Sequence, residues 1–497
     1  MLITGLAVLN SEGDAIGDSI LVYSGFIEGV GPRSRFTGSY SVEVKYDGYI
    51  MPGFVDAHLH LEGLGLAIEG IDLRGLDSIE GLRLKLRDVK GPLVYGRGWD
   101  QEGFRESRWP SRWDIDDVTG DRPAILVRVC GHAALLNTRA LEIVKPWEAY
   151  PDFVEVREGK ITGIVYEGAV SYSLEKLLEN VSLEPIIAGA LERLRSAGLV
   201  GASTMSCTRR EYEVLKRLAA ELGALPVKVS CYPDYSKKFS DSGVGEWVSI
   251  AGYKIYADGS LGARTAFLRE PYSDDPQNKG VLLAGRETIK EAMREAEGEG
   301  LKAAIHAIGD AGLDEVISAA EEARPSKFRV EHASVSWDEQ IEALARLGAY
   351  VVVQPRFRVS DWWIDRRLGP RLKLAYRFKS FLKHEVKLAL SSDSPVEPFD
   401  INETIASALS KCGQPSCLEE EALDFKEAVT AYTRGAAIAS GGPLKLSGLL
   451  ERGFKADLTV SRSNPFEEFK VEPLGTIVSG FDSATIAKYL KQRYYLE

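Results

Sequence analysis

Histidine is scarce in this chain, with six copies in 497 residues. Cysteine is scarcer still. Five widely spaced copies, an odd number, make no disulfide framework. The simplest setting is a reducing cytoplasm, although Cys412 and Cys417 are near enough in sequence to keep one local disulfide open. No apolar run reaches the length of about 18 residues that a membrane helix needs, so no membrane association is expected. The opening "MLITGLAVLNSEGD" has no basic segment and no cleavage-type ending, and reads as a strand and turn rather than a signal peptide. Basic charge is also short. Lys and Arg number 61 against 73 Asp and Glu, a net charge of −12, which argues against a nucleic-acid surface. No glycine-rich phosphate loop follows the first apolar strand, which removes the usual mark of a dinucleotide-dependent oxidoreductase.

Against that scarcity, "GFVDAHLHLEG", from Gly53 to Gly63, places two histidines one residue apart. Side chains at i and i+2 leave a β-strand on the same face. "YIMPGFVDA" reads as a short buried strand, so His58 and His60 would leave its end side by side. Neutral imidazole is the commonest protein ligand for zinc and similar ions. The plain alternative is a chance pair, one ring buried and one exposed.

The rest of the chain decides between them. Eight apolar runs follow in order: "GYIMPGFVDA", "GLVGASTMS", "PVKVSCY", "AGYKIYAD", "LKAAIHA", "KFRVEHA", "AYVVVQP" and "VKLALSSD". Helical patterns such as "REYEVLKRLAAELG" and "ETIKEAMREAEGEG" separate most of them. Strand–helix alternation argues for parallel strands with right-handed crossovers. Eight units suggest an α/β fold of the (β/α)8 TIM-barrel type spanning residues 51–435, with an open doubly wound sheet as the alternative. Residues 1–50 and 436–497 read as short strands and turns. They are expected to form one small β-sandwich domain from both chain ends. Residues 61–180 are too long for a loop and carry the strands "GPLVYGRGWD" and "RPAILVRVCG", so they read as an inserted subdomain.

The polar residues then fall into a pattern. His58 and His60 end the first strand, His306 the fifth, His332 the sixth and Asp393 the eighth, while Lys254 lies within the fourth. Four of the six histidines thus sit where barrel enzymes keep their chemistry. Imidazoles with a carboxylate suit zinc, iron, manganese or cobalt. An ammonium cannot bind a metal. Lys254 either pairs with a carboxylate such as Asp258, or is carboxylated by CO2 into an anionic bridge. For Asp393 the plain alternative is a helix N-cap ahead of Pro395.

This set resembles the metal-dependent amidohydrolase superfamily, with His-x-His on the first strand, a Lys or Glu bridge, His on the fifth and sixth, and Asp on the eighth. Longer stretches resemble one subgroup, amidohydrolase family 3, which includes N-substituted formamide deformylases. They are "PGFVDAHLHLEGLG", "GRGWDQE", "RPAILVRVCGHAALLNTRAL", "KIYADGSLGARTAFL", "AIHAIGDAGLD", "RVEHASV" and "SSDSPVEPFDINETIASAL". The likeness covers nearly the whole chain. It implies one or two divalent metals per chain, zinc foremost. His58, His60 and Asp393 would hold the buried metal, His306 and His332 the second, and a carboxylated Lys254 would bridge them in a binuclear centre. It implies hydrolysis of a non-peptide C–N bond, in a linear amide or N-acyl compound, by a metal-bound hydroxide, with Asp393 as the catalytic proton carrier. Deamination, cyclic-amide opening and lactone or ester hydrolysis suit the same site, and a non-catalytic scaffold stands further off because all six ligand positions are filled. His132, Trp99, Asp100, Gln354 and Arg356 are the candidates to contact the small-molecule substrate. Arg264 and Arg269 lie in a loop that could cover the site, ion pairing being the plainer fate of each. A homodimer is the default assembly.

Overall fold

The computed structural model describes all residues except 88, 90–92, 130, 132, 180, 242–244, 410–417 and 495–497. The expected contact His132 and the Cys412–Cys417 pair therefore lie outside the described residues. Cys207 and Cys231 are buried and not disulfide-bonded. Among the described residues no helix is long and apolar enough to cross a membrane. The chain divides into two compact units, Met1–Leu61 with Ala190–Glu497, and Glu62–Gly189.

The larger unit holds two parallel sheets. The first runs in the order Val248–Ile250, Lys228–Tyr232, Leu199–Met205, Phe54–Leu59. The second runs in chain order through Gly252–Tyr256, Lys302–Ala307, Phe328–His332, Tyr350–Val353 and Lys387–Leu390. Each of the eight apolar runs yields one strand of these sheets, and a ninth strand comes from outside them. The fourth run supplies Gly252–Tyr256, and Val248–Ile250 just before it pairs backward with Lys228–Tyr232. Backbone hydrogen bonds also join the edges of the two sheets. Lys254 donates to the Pro233 carbonyl at 2.8 Å, Asp393 to that of His58 at 2.7 Å, and His60 to that of Ser394 at 2.8 Å.

The helices between strands follow from local chemistry. In Arg209–Leu222 the Thr208 side chain caps the free Glu211 N–H, and Gly223 ends the helix at φ 70°, a left-handed turn that glycine adopts without strain. Arg286–Gly298 buries Ile289, Ala292, Met293 and Ala296, the spacing of one helix face.

The first apolar run departs from the expectation of one strand. Tyr49–Pro52 and Phe54–Leu59 are separate strands in different sheets. Gly53 is the joint. A Cβ there would collide with the Val200 side chain and lie 2.9 Å from the Asp457 carbonyl oxygen, so the chain can cross between sheets only at a residue without one. Tyr49–Pro52 joins a sheet drawn from both chain ends: Phe481–Asp482, Pro473–Val478, Leu458–Ser461, Tyr49–Pro52, Leu2–Leu9, Ala15–Tyr23 and Phe26–Gly31, with Glu43–Lys45 beside Leu2–Leu9. Ile3, Val8, Ile20, Ile27, Ile50, Leu458, Val460 and Ile477 form its apolar core. Below Leu458, Asp457 meets Lys228 of a parallel strand at 2.7 Å, both side chains fully buried.

The unit Glu62–Gly189 is built on one six-stranded sheet. Its core includes Leu82, Val94, Trp99, Leu126, Leu135 and Ile164.

Candidate metal centre

Alternation along Phe54–Leu59 sends His58 and His60 to one side of the strand. Each ring is fixed through Nδ1. His58 Nδ1 lies 2.6 Å from Glu331 Oε2, and His60 Nδ1 lies 3.1 Å from the Met205 carbonyl oxygen. An ionised carboxylate and a carbonyl can only accept, so both Nδ1 atoms carry the proton and both Nε2 lone pairs are free. These face one atom. Asp393 Oδ1 lies 3.4 Å from His58 Nε2 and 3.2 Å from His60 Nε2, and is buried with no hydrogen-bond partner. The ligand atoms of all three residues fall within 4.8 Å of one another. Two imidazole nitrogens and an unpartnered carboxylate oxygen, in tautomers set by neighbouring acceptors, fit a divalent ion of the zinc type.

The other expected ligands are adjacent. The His332 ring lies 5.0 Å from that of His58 and 4.4 Å from that of His306. His332 Nδ1 donates to Gln354 Oε1 at 2.7 Å, and Gln354 in turn donates to Ser391. His306 Nε2 is hydrogen-bonded to the Gly259 carbonyl at 3.0 Å, which leaves Nδ1 as its free nitrogen. Lys254 is 1% exposed, with its ammonium 5.0 Å from the centre of the Tyr256 ring. Among the described residues no ion pair joins it to Asp258. That carboxylate instead accepts backbone N–H groups from Phe267, Ile308 and Gly309. The N-cap alternative for Asp393 also fails, because Pro395 lies in a turn rather than a helix.

Electrostatics favours neutral rings around an ionised acid. Burial drives His58, His306 and His332 well below the usual imidazole range, reinforced by the nearby Lys254 charge. Burial also works against ionising Asp393, but the adjoining His58 and His60 rings and the Lys254 ammonium outweigh it, and its pKa ends below the ordinary carboxylate value. Burial brings Lys254 down to about 8, against the pull of Glu331 and Asp393. His332 at φ 73° and Asp393 at φ 61° both occupy the left-handed region. Such strain costs roughly 1–3 kcal/mol per residue and tends to collect at functional sites.

Sequence reasoning passed over the group beneath His58. Arg329 and Glu331 are both fully buried on Phe328–His332. Arg329 binds both Glu331 oxygens, at 2.5 and 2.9 Å, and donates to the Ala57 carbonyl at 2.5 Å. The available signal was two ionisable residues at i and i+2 inside an apolar strand.

The expected substrate contacts fare differently. Gln354 is a partner of His332. Arg356 lies just beyond the strand Tyr350–Val353, 3.5 Å from Glu397 and 3.6 Å from Glu403, with Nε buried and without a hydrogen bond. Trp99 is wholly buried in the core of its own unit and donates to the Leu126 carbonyl at 2.7 Å. Asp100 is paired with Arg128 at 2.6 Å. Arg264 and Arg269 are ion-paired with Asp274 and Asp314.

Comparison with known proteins agrees with this chemistry. The model of the amidohydrolase family matches residues 47–480. YtcJ of Bacillus subtilis is 32% identical, covering 92% of each chain. The N-substituted formamide deformylase of Arthrobacter pascens is 25% identical over 91% of each. The crystal structure of an uncharacterised metal-dependent hydrolase from Pyrococcus horikoshii superposes with a TM-score of 0.82 at 33% identity, covering 94% of this chain and 98% of that one. With a metal-shaped ligand set at the ends of its parallel strands and a family match along most of its length, the chain belongs to the amidohydrolase family.

Proposed function

We propose that this protein is a metal-dependent hydrolase of a non-peptide C–N bond in a linear amide or N-acyl compound. The observation that carries the reading is the convergence of His58 Nε2, His60 Nε2 and the unpartnered Asp393 Oδ1. The activity named for the Arthrobacter relative supports the substrate class. We also propose that the two parallel sheets close as one (β/α)8 barrel, supported by the hydrogen bonds between their edges. In this reading the sheet of both chain ends folds over its apolar core as a sandwich, with the domain limits at 50 and 436 and an insertion over 61–180.

His58, His60 and Asp393 would hold one ion. His306 and His332 would hold a second, with Lys254, as its carbamate, between them. Zinc suits the donors first, and iron, manganese or cobalt suit them too. A bound ion supplies an activated water near neutral pH and polarises the substrate carbonyl. The protein supplies the proton path. Asp393 is ionised, and Oδ1 has no N–H donor occupying it. As water oxygen adds to the carbonyl carbon, Asp393 takes its proton. It returns that proton to the leaving nitrogen as the C–N bond breaks. Arg356 is the candidate to orient a polar or anionic group of the substrate.

The test is metal content per chain with bicarbonate present, followed by a panel of N-substituted formamides, N-acyl compounds, lactams, lactones and aminated heterocycles. About two metals and turnover of linear amides are expected. Asp393→Asn is expected to keep the fold and lose at least three powers of ten in turnover, about 4 kcal/mol of barrier. Near-parental activity in that variant, or turnover confined to the heterocycles, would overturn the assignment.

A further inference from the structure

One buried acid near the centre has no part in this chemistry. Asp56 is 0% exposed and stands two residues before His58. Its Oδ1 accepts the backbone N–H of His58 at 3.2 Å and that of Ser392 at 3.1 Å. The two amides belong to the segments that carry the ligands, one leading to His58 and His60, the other to Asp393. A single carboxylate oxygen therefore sits at the seam between them, and the His58–Asp393 and Ser394–His60 backbone bonds continue that seam.

The second oxygen is the unusual one. Asp56 Oδ2, the Thr404 hydroxyl and the Tyr432 hydroxyl are all buried without a hydrogen-bond partner, and all three residues are 0% exposed. They lie together. The Tyr432 ring packs edge-on against Phe54 at 5.7 Å, and its hydroxyl has Asp56 and Thr404 among its polar neighbours. Leaving a buried polar group unsatisfied is destabilising. Hydroxyls rotate and can donate, whereas a carboxylate only accepts. The charges resolve if Tyr432 donates to Asp56 Oδ2 and Thr404 donates to Tyr432, directly or through one buried water. Thr404 lies on the helix Ile401–Leu409 and Tyr432 on the π-helical turn Ala431–Gly435.

We propose that Thr404, Tyr432 and Asp56 form a positioning relay for the metal centre, in which the two hydroxyls hold Asp56 so that its other oxygen sets the spacing of His58 and Asp393. None of the three touches the reacting atoms. Their effect passes through ligand geometry, so the inference rests on His58 and Asp393 being ligands.

The experiment uses the full chain loaded with cobalt(II), reading the dissociation constant, the visible absorption band of the bound ion and the melting temperature. Tyr432→Phe keeps the ring and removes the hydroxyl. Asp56→Asn can keep the Oδ1 acceptor while removing the charge. Each is expected to weaken cobalt binding 10–100-fold and to shift the visible band. The double variant should fall well short of the product of the two losses, because both act on one relay. Thr404→Ser should retain parental affinity and Thr404→Val should lose it. A lowered melting temperature with parental affinity and spectrum would overturn the relay, as would losses in the double variant that simply multiply. A parent chain that binds no cobalt would overturn the metal-centre reading itself, and the relay with it.

Discussion

His58 is held at Nδ1 by Glu331, while its Nε2 faces Asp393. Carboxylates behind a ligating histidine fix its tautomer and raise its basicity. Glu331→Gln can still accept from Nδ1, but it removes the charge and strands the buried Arg329 guanidinium. Metal affinity is expected to fall 10–100-fold, read by competition with a coloured chelator, and stability by about 3 kcal/mol, read by denaturant titration. Parental values for both would show that the pair only fills space. The grouping of His58, His60, His306, His332 and Asp393 is legible in the sequence because few side chains bind metals and each of these ends an apolar run. Glu331 is not legible in the same way. Its partner lies 273 residues away, and nothing in a strand says which ring it will face. Gln354 carries the same lesson, since its place at a strand end suggested a substrate contact while its oxygen faces His332.

Among the elements, periodicity made the parallel strands and their helices readable, because alternation and a 3.6-residue repeat are local properties. The break at Gly53 was not readable. The run around it is continuously apolar, and the reason for two strands is the Val200 side chain, which arrives from a distant part of the chain. Gly53→Ala is expected to cost about 1–3 kcal/mol through overpacking, measured by thermal or denaturant unfolding. The same variant should also weaken metal binding, since His58 and His60 lie on the strand that Gly53 launches. Unchanged stability would mean that the two strands tolerate separation at this joint.

For the whole molecule, the proposed ligands His58, His60 and Asp393 come from the first and last parallel strands, and the unfolded chain does not hold them together. A metal held there would bind the folded state and stabilise it by mass action. A free concentration 100 times the dissociation constant contributes about 2.7 kcal/mol. Chelation is expected to lower the melting temperature, and restored zinc or manganese to raise it again. Coincident curves for stripped and loaded protein would remove the metal from the folding balance. The acidic charge balance, read from composition, argues against a nucleic-acid surface. Composition cannot show that both chain ends share one sheet, which depends on pairings such as Leu458–Ser461 with Tyr49–Pro52.

That shared sheet also imposes an order in time. A chain is made from its N-terminus, and Asp393 follows His58 by more than 330 residues. Tyr49–Pro52 must wait longer still for its second neighbour, until Leu458–Ser461 has been synthesised. During translation the two early histidines are present without Asp393, and Tyr49–Pro52 without its neighbour Leu458–Ser461. Loading of the proposed three-residue site would thus be a late event, open only to an almost finished polypeptide, and a ribosome stalled before residue 393 would release a product unable to assemble it.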